Sequence, residues 1–417
     1  MKFHWLRSWA RQAVGHGVRR TGGRNKGRGP WSRPLVERLE DRTVPSGTAL
    51  GIPTWTEQGP AQQSEQLYGN AGTPPDDPVA GAVESLAVNP NHPAQILIGT
   101  VDGGVWRTTS ADATNPAAIS WTPLSDHLAS LAIGAVAYDP ADATGNTFYA
   151  GTGLWSNSFD SGDSAVGLYR TTNAGATWQL LGNNASGVNV LATHRIKALA
   201  ITGQTILAGT INGTGIGSVT QPGDSLRDYA TLGGALFRSA DGGATFSQVL
   251  PASGLPSGAV SSLVVDPNDA LRVFAAVDGQ GVFRSEDGGV SWTAYSSGLT
   301  GAATSADIEL AVQNLGGTTL FAGVSQENEG ASTQAFNGVF SATDFTGSGN
   351  WTGLAAAPAA FNPGLGFAEK FQLATDPVNA GVVYIDGQGG SGIYRYDPTG
   401  AGSWVQIDQG GAQNTSP

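Results

Sequence analysis

The sequence predicts an all-β fold built from repeated four-stranded sheets, and three observations carry that prediction. Gly occurs 61 times in 417 residues with no collagen-like G-x-y period, which argues against long helices. Hydrophobic residues make up 40 % of the chain and Trp alone occurs 11 times, enough to supply a large core. From residue 83 onward, a phrase of short β-branched segments returns six times.

The first segment of each phrase alternates apolar residues and closes on a turn. Its copies are Leu86-Ala-Val-Asn-Pro90, Val136-Ala-Tyr-Asp-Pro140, Leu199-Ala-Ile-Thr-Gly203, Leu263-Val-Val-Asp-Pro267, Leu310-Ala-Val-Gln-Asn314 and Leu373-Ala-Thr-Asp-Pro377. A second segment with small residues follows, as in Ile96-Leu-Ile-Gly-Thr100 and Phe148-Tyr-Ala-Gly-Thr152. The third carries an aromatic and usually Arg: Trp106-Arg107, Tyr169-Arg170, Phe237-Arg238, Phe283-Arg284, Phe340-Ser341 and Tyr394-Arg395. A fourth ends each phrase on an aromatic, at Trp121, Trp178, Phe246, Trp292, Trp351 and Trp404. A single four-stranded unit is too thin to bury both its faces. Stacking such units around an axis covers the faces and leaves only short edges. The expectation is therefore a β-propeller of six four-stranded blades over residues 83–417, preceded by a disordered basic tail. No unit offers an apolar period of 3.6 residues over ten positions, which excludes a helical solenoid.

Three units read S/T-x-D/N-x-G-x-S/T-aromatic without a gap between the third and fourth segments. They begin at Thr171, with Asn173, Gly175 and Trp178; at Ser239, with Asp241, Gly243 and Phe246; and at Ser285, with Asp287, Gly289 and Trp292. An Asx side chain here accepts from turn N–H groups, Gly supplies positive φ, and the aromatic buries at the blade edge. This pattern resembles the Asp-box, or BNR repeat, of sialidase-like, sortilin-like and xyloglucanase-like propellers. The chemistry of the box is structural, because its carboxylates lie on separate blades.

That resemblance raises the question of catalysis. Sialidases hold a carboxylate with three arginines, whereas Arg107, Arg170, Arg238, Arg284 and Arg395 repeat in register, one per blade. Pairing or snorkelling at the blade surface is expected of them. Only Arg195, Arg227 and Arg272 stand out of register, and the Arg-Ile-Pro phrase of that family is missing. Carboxylates outside the repeat are Asp160, Asp163, Glu84, Glu309, Asp224 and Asp228. The sequence gives no spacing between them with which to identify a hydrolytic pair.

Insertions at 154–166, 211–234 and 325–337 mark where ligand-binding loops gather. Candidate binding residues are Trp155, Phe159, Asp160, Asp163, Arg195, Arg227 and Tyr229, with Phe336 as a further stacking surface. No cofactor is expected. Phe159–Ala165 offers oxygen ligands for Ca²⁺ but lacks the twelve-residue ligand pattern. The five His lack metal-ligand spacing, and zero Cys removes thiolate sites and disulfides.

Charge separates the chain into two parts. Residues 1–45 hold eleven Lys and Arg against three acids, and the remainder holds ten against thirty. An acidic body disfavours nucleic-acid binding, and no run of 18 apolar residues exists to span a membrane as a helix. Leu35-Val-Glu-Arg-Leu-Glu-Asp-Arg-Thr-Val-Pro-Ser46 resembles the LEDRxxPS-type leader of bacterial surface proteins, which implies export to an extracellular, cell-surface or periplasmic location. The expected domain plan is a leader over 1–49, a linker over 50–82 and the propeller beyond. Within the linker, Trp55 looks like a displaced fourth strand able to close the ring. With the connector-like Gly410–Pro417, it leaves a seventh, incomplete blade open. The expected function is an exported binding or scaffold module for glycan or protein at one end of the propeller. The alternatives are a glycoside hydrolase of the sialidase-like or xyloglucanase-like kind and, more weakly, an assembly factor for a membrane complex.

Overall fold

The computed structural model describes residues 83–407, apart from 102, 116–117, 154–163, 212–232, 328–333, 359–360, 364–370, 388–391 and 401. Its strands form six sheets, each a four-stranded antiparallel meander, arranged as the blades of a propeller. Blade 1 comprises Val83–Val88, Ile96–Thr100, Gly104–Thr108 and Thr122–Pro123. The first strands of blades 2 to 6 are Ile133–Tyr138, Arg195–Thr202, Val260–Asp266, Ser305–Asn314 and Gln372–Thr375. These inner strands pack on one another in sequence order.

Burial follows position in the blade. Second strands lie between two neighbouring sheets and are buried almost throughout, as Phe148–Thr152 shows, which is why their segments read as unbroken apolar runs. Fourth strands are two or three residues long and, as Thr293–Ala294 illustrates, exposed, so the outer edge offers little ladder for unwanted pairing. Apolar clusters bridge successive blades. Val136 and Tyr138 of blade 2 pack with Leu97 and Val105 of blade 1, and Leu310 of blade 5 packs with Phe274 and Val282 of blade 4. A glycine in the second strand lets the next inner strand approach. A Cβ on Gly99, Gly151, Gly209 or Gly323 would collide with Ile133, Ile196, Val260 or Phe371.

Pairing holds for Arg284, whose Nε meets Glu286 of its own blade at 2.9 Å, but the arginines of blades 1 to 4 also reach across to the next blade. Arg107 donates to Gly145 O at 3.0 Å, Arg238 Nε to Gly288 O at 2.8 Å, and Arg284 Nη1 to Phe345 O. Arg170 makes a longer contact, 3.5 Å, with Gly242 O. The guanidinium fits because turn carbonyls left over by one hairpin face the third strand of the blade before it. Arg395, in blade 6, pairs instead with Asp397 of its own blade at 2.9 Å.

The meander also sorts the connections. Turns between strands one and two and between strands three and four leave one rim. Loops between strands two and three, and the links between blades, leave the other. All three sequence insertions fall between second and third strands, so their roots share one rim. The segment 325–337 is shorter as a loop than expected. Thr318–Glu327 and Gln334–Ala342 continue as strands into it, giving blade 5 the longest hairpin of the described residues.

Candidate functional site: the axial end of the ring

The rim that carries the insertion roots is where the sequence places its ligand-binding candidates. Trp155, Phe159, Asp160, Asp163, Arg227 and Tyr229 lie outside the described residues. Arg195 is described. It opens the inner strand of blade 3, is half-buried, and its Nε donates to Gly153 O at 3.2 Å, at the root of the blade 2 insertion. Phe336 is not a free stacking platform. Its ring meets Phe361 and Phe371 edge-on, with centroids 4.7 Å and 5.4 Å apart, so it packs the base of the blade 5 hairpin.

Three charged side chains from alternate blades meet across the axis. Lys197 Nζ stands 3.8 Å from Glu84 Oε1 of blade 1 and 3.7 Å from Glu309 Oε1 of blade 5. Lys197 is almost wholly covered, with 4 % of its side chain exposed, and the two Glu side chains expose 13 % and 11 %. Local backbone explains how they converge. Glu84 and Lys197 are the extra residues of β-bulges in their inner strands, between Val83 and Ser85 and between Ile196 and Ala198. A bulge re-aims a side chain that regular pleating would point at a neighbouring blade. The corresponding bulge residues of blades 2 and 4 are the small Gly134 and Ser261, which leaves room for the long side chains to meet. Glu309 arrives from a regular register, opposite Gly323. Sequence reasoning singled out the two acids but not Lys197. The signal it missed was a Lys at a position where every other inner strand is uncharged or acidic.

The cluster ties blades 1, 3 and 5 across the ring. The two acids bracket a single cation.

On the opposite rim, the S/T-x-D/N-x-G turns show the expected bracing. Asp241 accepts from Thr245 N at 2.9 Å, from Thr245 Oγ1 at 2.6 Å and from Ser239 Oγ at 2.7 Å. Asp287 repeats the arrangement with Ser291 and Ser285, and Asn173 accepts from Thr177 N and Thr171 Oγ1. Ser239, Ser285 and Thr171 also accept from the N–H of Gly243, Gly289 and Gly175, whose φ values of 90°, 84° and 88° explain the glycine. The Thr245 hydroxyl, chiefly, holds the Asp241 carboxyl down to about 2. For Asp287 burial works the other way, yet hydrogen bonds from Ser291 and Ser285 still keep it below the usual carboxylate range. Phe246 and Trp292 are buried as expected.

Also on this rim, a cavity of about 380 Å³ opens between blades 4 and 5, lined in part by Asp266, Arg272, Thr318 and Phe345. Its polar groups are committed to one another. Arg272 pairs with Asp266 at 2.9 Å and Glu286 at 3.0 Å, and its guanidinium lies over the Phe345 ring. Among the described residues, no three His, Cys, Asp or Glu are grouped to hold a metal ion, and no helix is long and apolar enough to cross a membrane.

Comparison with known proteins adds a family direction. No protein-family profile matches the chain. It is 27 % identical over 288 residues to a xyloglucanase of Paenibacillus sp, covering 61 % of this chain and 24 % of that protein. It is also 27 % identical over 345 residues to a xyloglucanase of Hypocrea jecorina (strain QM6a), covering 78 % of this chain and 32 % of that protein. The chain thus spans 24 % and 32 % of the length of these relatives. Among solved structures, it is similar in fold to an ancestral GH74 enzyme, with a TM-score of 0.53, 18 % identity, and coverage of 84 % of this chain and 40 % of that one. The GH74 xyloglucanase from Xanthomonas campestris gives a TM-score of 0.50 at 19 % identity, with coverage of 78 % and 45 %. The chain is a six-bladed propeller with GH74 structural neighbours.

Proposed function

We propose that this chain is a glycoside hydrolase propeller of the xyloglucanase-like kind, acting on a β-glucan at the rim that carries the insertions. The observation that supports this reading most is the identity to two xyloglucanases over 61 % and 78 % of the chain. In this reading Trp155, Phe159 and Tyr229 stack on sugar rings, Asp160 and Asp163 contact hydroxyls or the reacting bond, and Arg195 and Arg227 orient the chain. The hairpin motif supports reading the protein as an Asp-box propeller, and in the same reading a leader over residues 1–49 directs it out of the cell. Residues 50–82 join that leader to the propeller.

A second reading, a glycan-binding or scaffold module without turnover, draws support from a specific observation. Glu84 and Glu309 are tied to Lys197 at the axis, and the carboxylates of the boxes are braced on separate blades. One experiment separates the two readings. The purified full chain is incubated with xyloglucan and with unbranched β-glucan, and new reducing ends and binding are measured together. Release of reducing ends supports the hydrolase; saturable binding with no release supports the module. Neither binding nor release would remove both.

A further inference from the structure

The in-register arginines differ in what becomes of the guanidinium. Arg107 Nη2 donates to Gln95 Oε1 at 2.8 Å, Arg284 Nε meets Glu286 at 2.9 Å and Arg395 Nη2 meets Asp397 at 2.9 Å, each partner on the arginine's own blade. Arg170 lies over the Tyr149 ring, 5.8 Å from its centroid. Arg238 has no such partner. It reaches Gly288 O through Nε, and among the described residues its Nη1 and Nη2 are without a hydrogen-bond acceptor. The sequence accounts for the difference. Ser239-Ala240-Asp241 aligns with Ser285-Glu286-Asp287, so an alanine occupies the position from which blade 4 supplies a carboxylate.

A cavity of about 340 Å³ opens at the outer edge of blade 3, lined in part by Arg238. Its volume falls at the lower end of the range for small-ligand sites, about 300–1,000 Å³. Asn184, Ser186, Asp241 and Ser247 share the lining. Asn184 Oδ1 is committed to the N–H groups of Ser186 and Val188, which leaves its Nδ2 to donate. Asp241 Oδ1 accepts two hydrogen bonds, from Ser239 Oγ and Thr245 N, but Oδ2 accepts only one, from Thr245 Oγ1. Oδ2 therefore keeps a lone pair for a further donor. A free guanidinium fork beside a fixed carboxylate selects a particular chemistry. A planar carboxylate pairs with the fork through two parallel bonds, but near Asp241 it meets a like charge. A ligand that also carries hydroxyls answers Asp241 Oδ2 as a donor, and so satisfies both groups.

We propose that this cavity binds a uronic acid residue of a glycan, whose carboxylate takes on Arg238 the place that Glu286 holds on Arg284, and whose hydroxyls meet Asp241 and Asn184. The charge of the chain favours this ligand over an acidic peptide. Beyond residue 45 the protein carries ten Lys and Arg against thirty acids, which repels a run of anionic groups and tolerates a single one on an otherwise neutral sugar chain. The site adjoins the box turn of blade 3, on the rim opposite the insertions, and stands independently of any hydrolysis there.

Isothermal titration of the full chain with methyl glucuronide, methyl glucoside and acetate tests the proposal. The glucuronide is expected to bind at least about tenfold more tightly than the glucoside, which lacks the carboxylate, or acetate, which lacks the hydroxyls. Ala240→Glu restores the carboxylate of blade 4 at an exposed position. It is expected to weaken glucuronide binding about tenfold or more while the melting temperature is kept. Arg238→Lys, which retains the charge without the fork, is expected to weaken it as well. Absence of glucuronide binding overturns the proposal, as does equal affinity for glucuronide and glucoside. Glucuronide affinity unaltered by Ala240→Glu also overturns it, by placing the sugar elsewhere on the ring. Binding of a Glu-rich peptide in place of the glucuronide would assign the fork to an acidic protein partner and overturn it too.

Discussion

Arg238 of blade 3 donates from Nε to the carbonyl of Gly288, 50 residues away in the hairpin turn of blade 4, at 2.8 Å. The bond joins a side chain that recurs in register to a main-chain oxygen that no local element uses. Removing the donor strands a partly buried carbonyl, so Arg238→Ala is expected to cost about 1–3 kcal/mol. Arg238→Lys is expected to recover less than half of the loss, because an ammonium lacks the planar fork that fits between sheets. Urea denaturation of both variants measures this, and equal stability of Arg238→Ala and the parent would deny the bond any role.

Gly151 permits blade 3 to close on blade 2. A Cβ there would press on Ile196 Cγ2, with no room to retreat between two buried strands. Gly151→Ala is expected to destabilise the ring by about 1–3 kcal/mol through overpacking. Pairing it with Ile196→Ala, which removes the Cγ2 methyl, should cost less than the sum of the two single changes, which thermal denaturation of the single and double variants would show.

Lys197 joins Glu84 and Glu309 across the axis. Lys197→Met removes the ammonium that these two covered carboxylates share, and a loss of about 3–5 kcal/mol is expected. Lys197→Met combined with Glu84→Gln and Glu309→Gln should be far less damaging, since no uncompensated charge remains. If the triple variant were no better than the single one, the loss would come from packing and not from charge.

Acid should weaken the braced turns in a definite window. Asp241 is held near 2 in the folded protein, below its unfolded value of about 3.9. Its ionised form therefore contributes stability that is complete above pH 4 and is lost as pH falls through about 2. Asp241→Asn keeps one acceptor but cannot titrate. Its stability relative to the parent is expected to be lower at pH 6 and to converge with the parent below pH 2. A constant difference across that range would show that the carboxylate charge is irrelevant.

If the insertions bind glycan, Trp155→Ala and Tyr229→Ala should each weaken xyloglucan binding about tenfold, or about 1.4 kcal/mol, with no change in melting temperature. Isothermal titration alongside calorimetric melting checks both halves of that expectation. Unaltered affinity in the two variants would move the binding surface elsewhere.

The blade repeat was legible because alternation, turn residues and terminal aromatics recur together in one phrase. The bracing of Asp241 and Asp287 was equally legible, since every partner lies within four residues. The links between blades were hidden for the opposite reason. Arg170 and Arg284 find their acceptors 72 and 61 residues ahead, on backbone oxygens that carry no sequence signature. The axial tie was obscured by backbone irregularity. Glu84 and Lys197 sit on bulges whereas Glu309 does not, so the three never align in the repeat. Phe336 misled because strand pairing extends beyond the Gly-poor part of its segment, turning an expected loop aromatic into packing.

The sorting of connections onto two rims separates what must be kept from what is free to change. One rim holds the hairpins whose hydroxyls and carboxylates lock each sheet; the other holds the long excursions. Lengthening or exchanging an excursion leaves every lock untouched, so a lineage can vary that rim without re-solving the folding of the ring, and a protein engineer can graft loops there for the same reason.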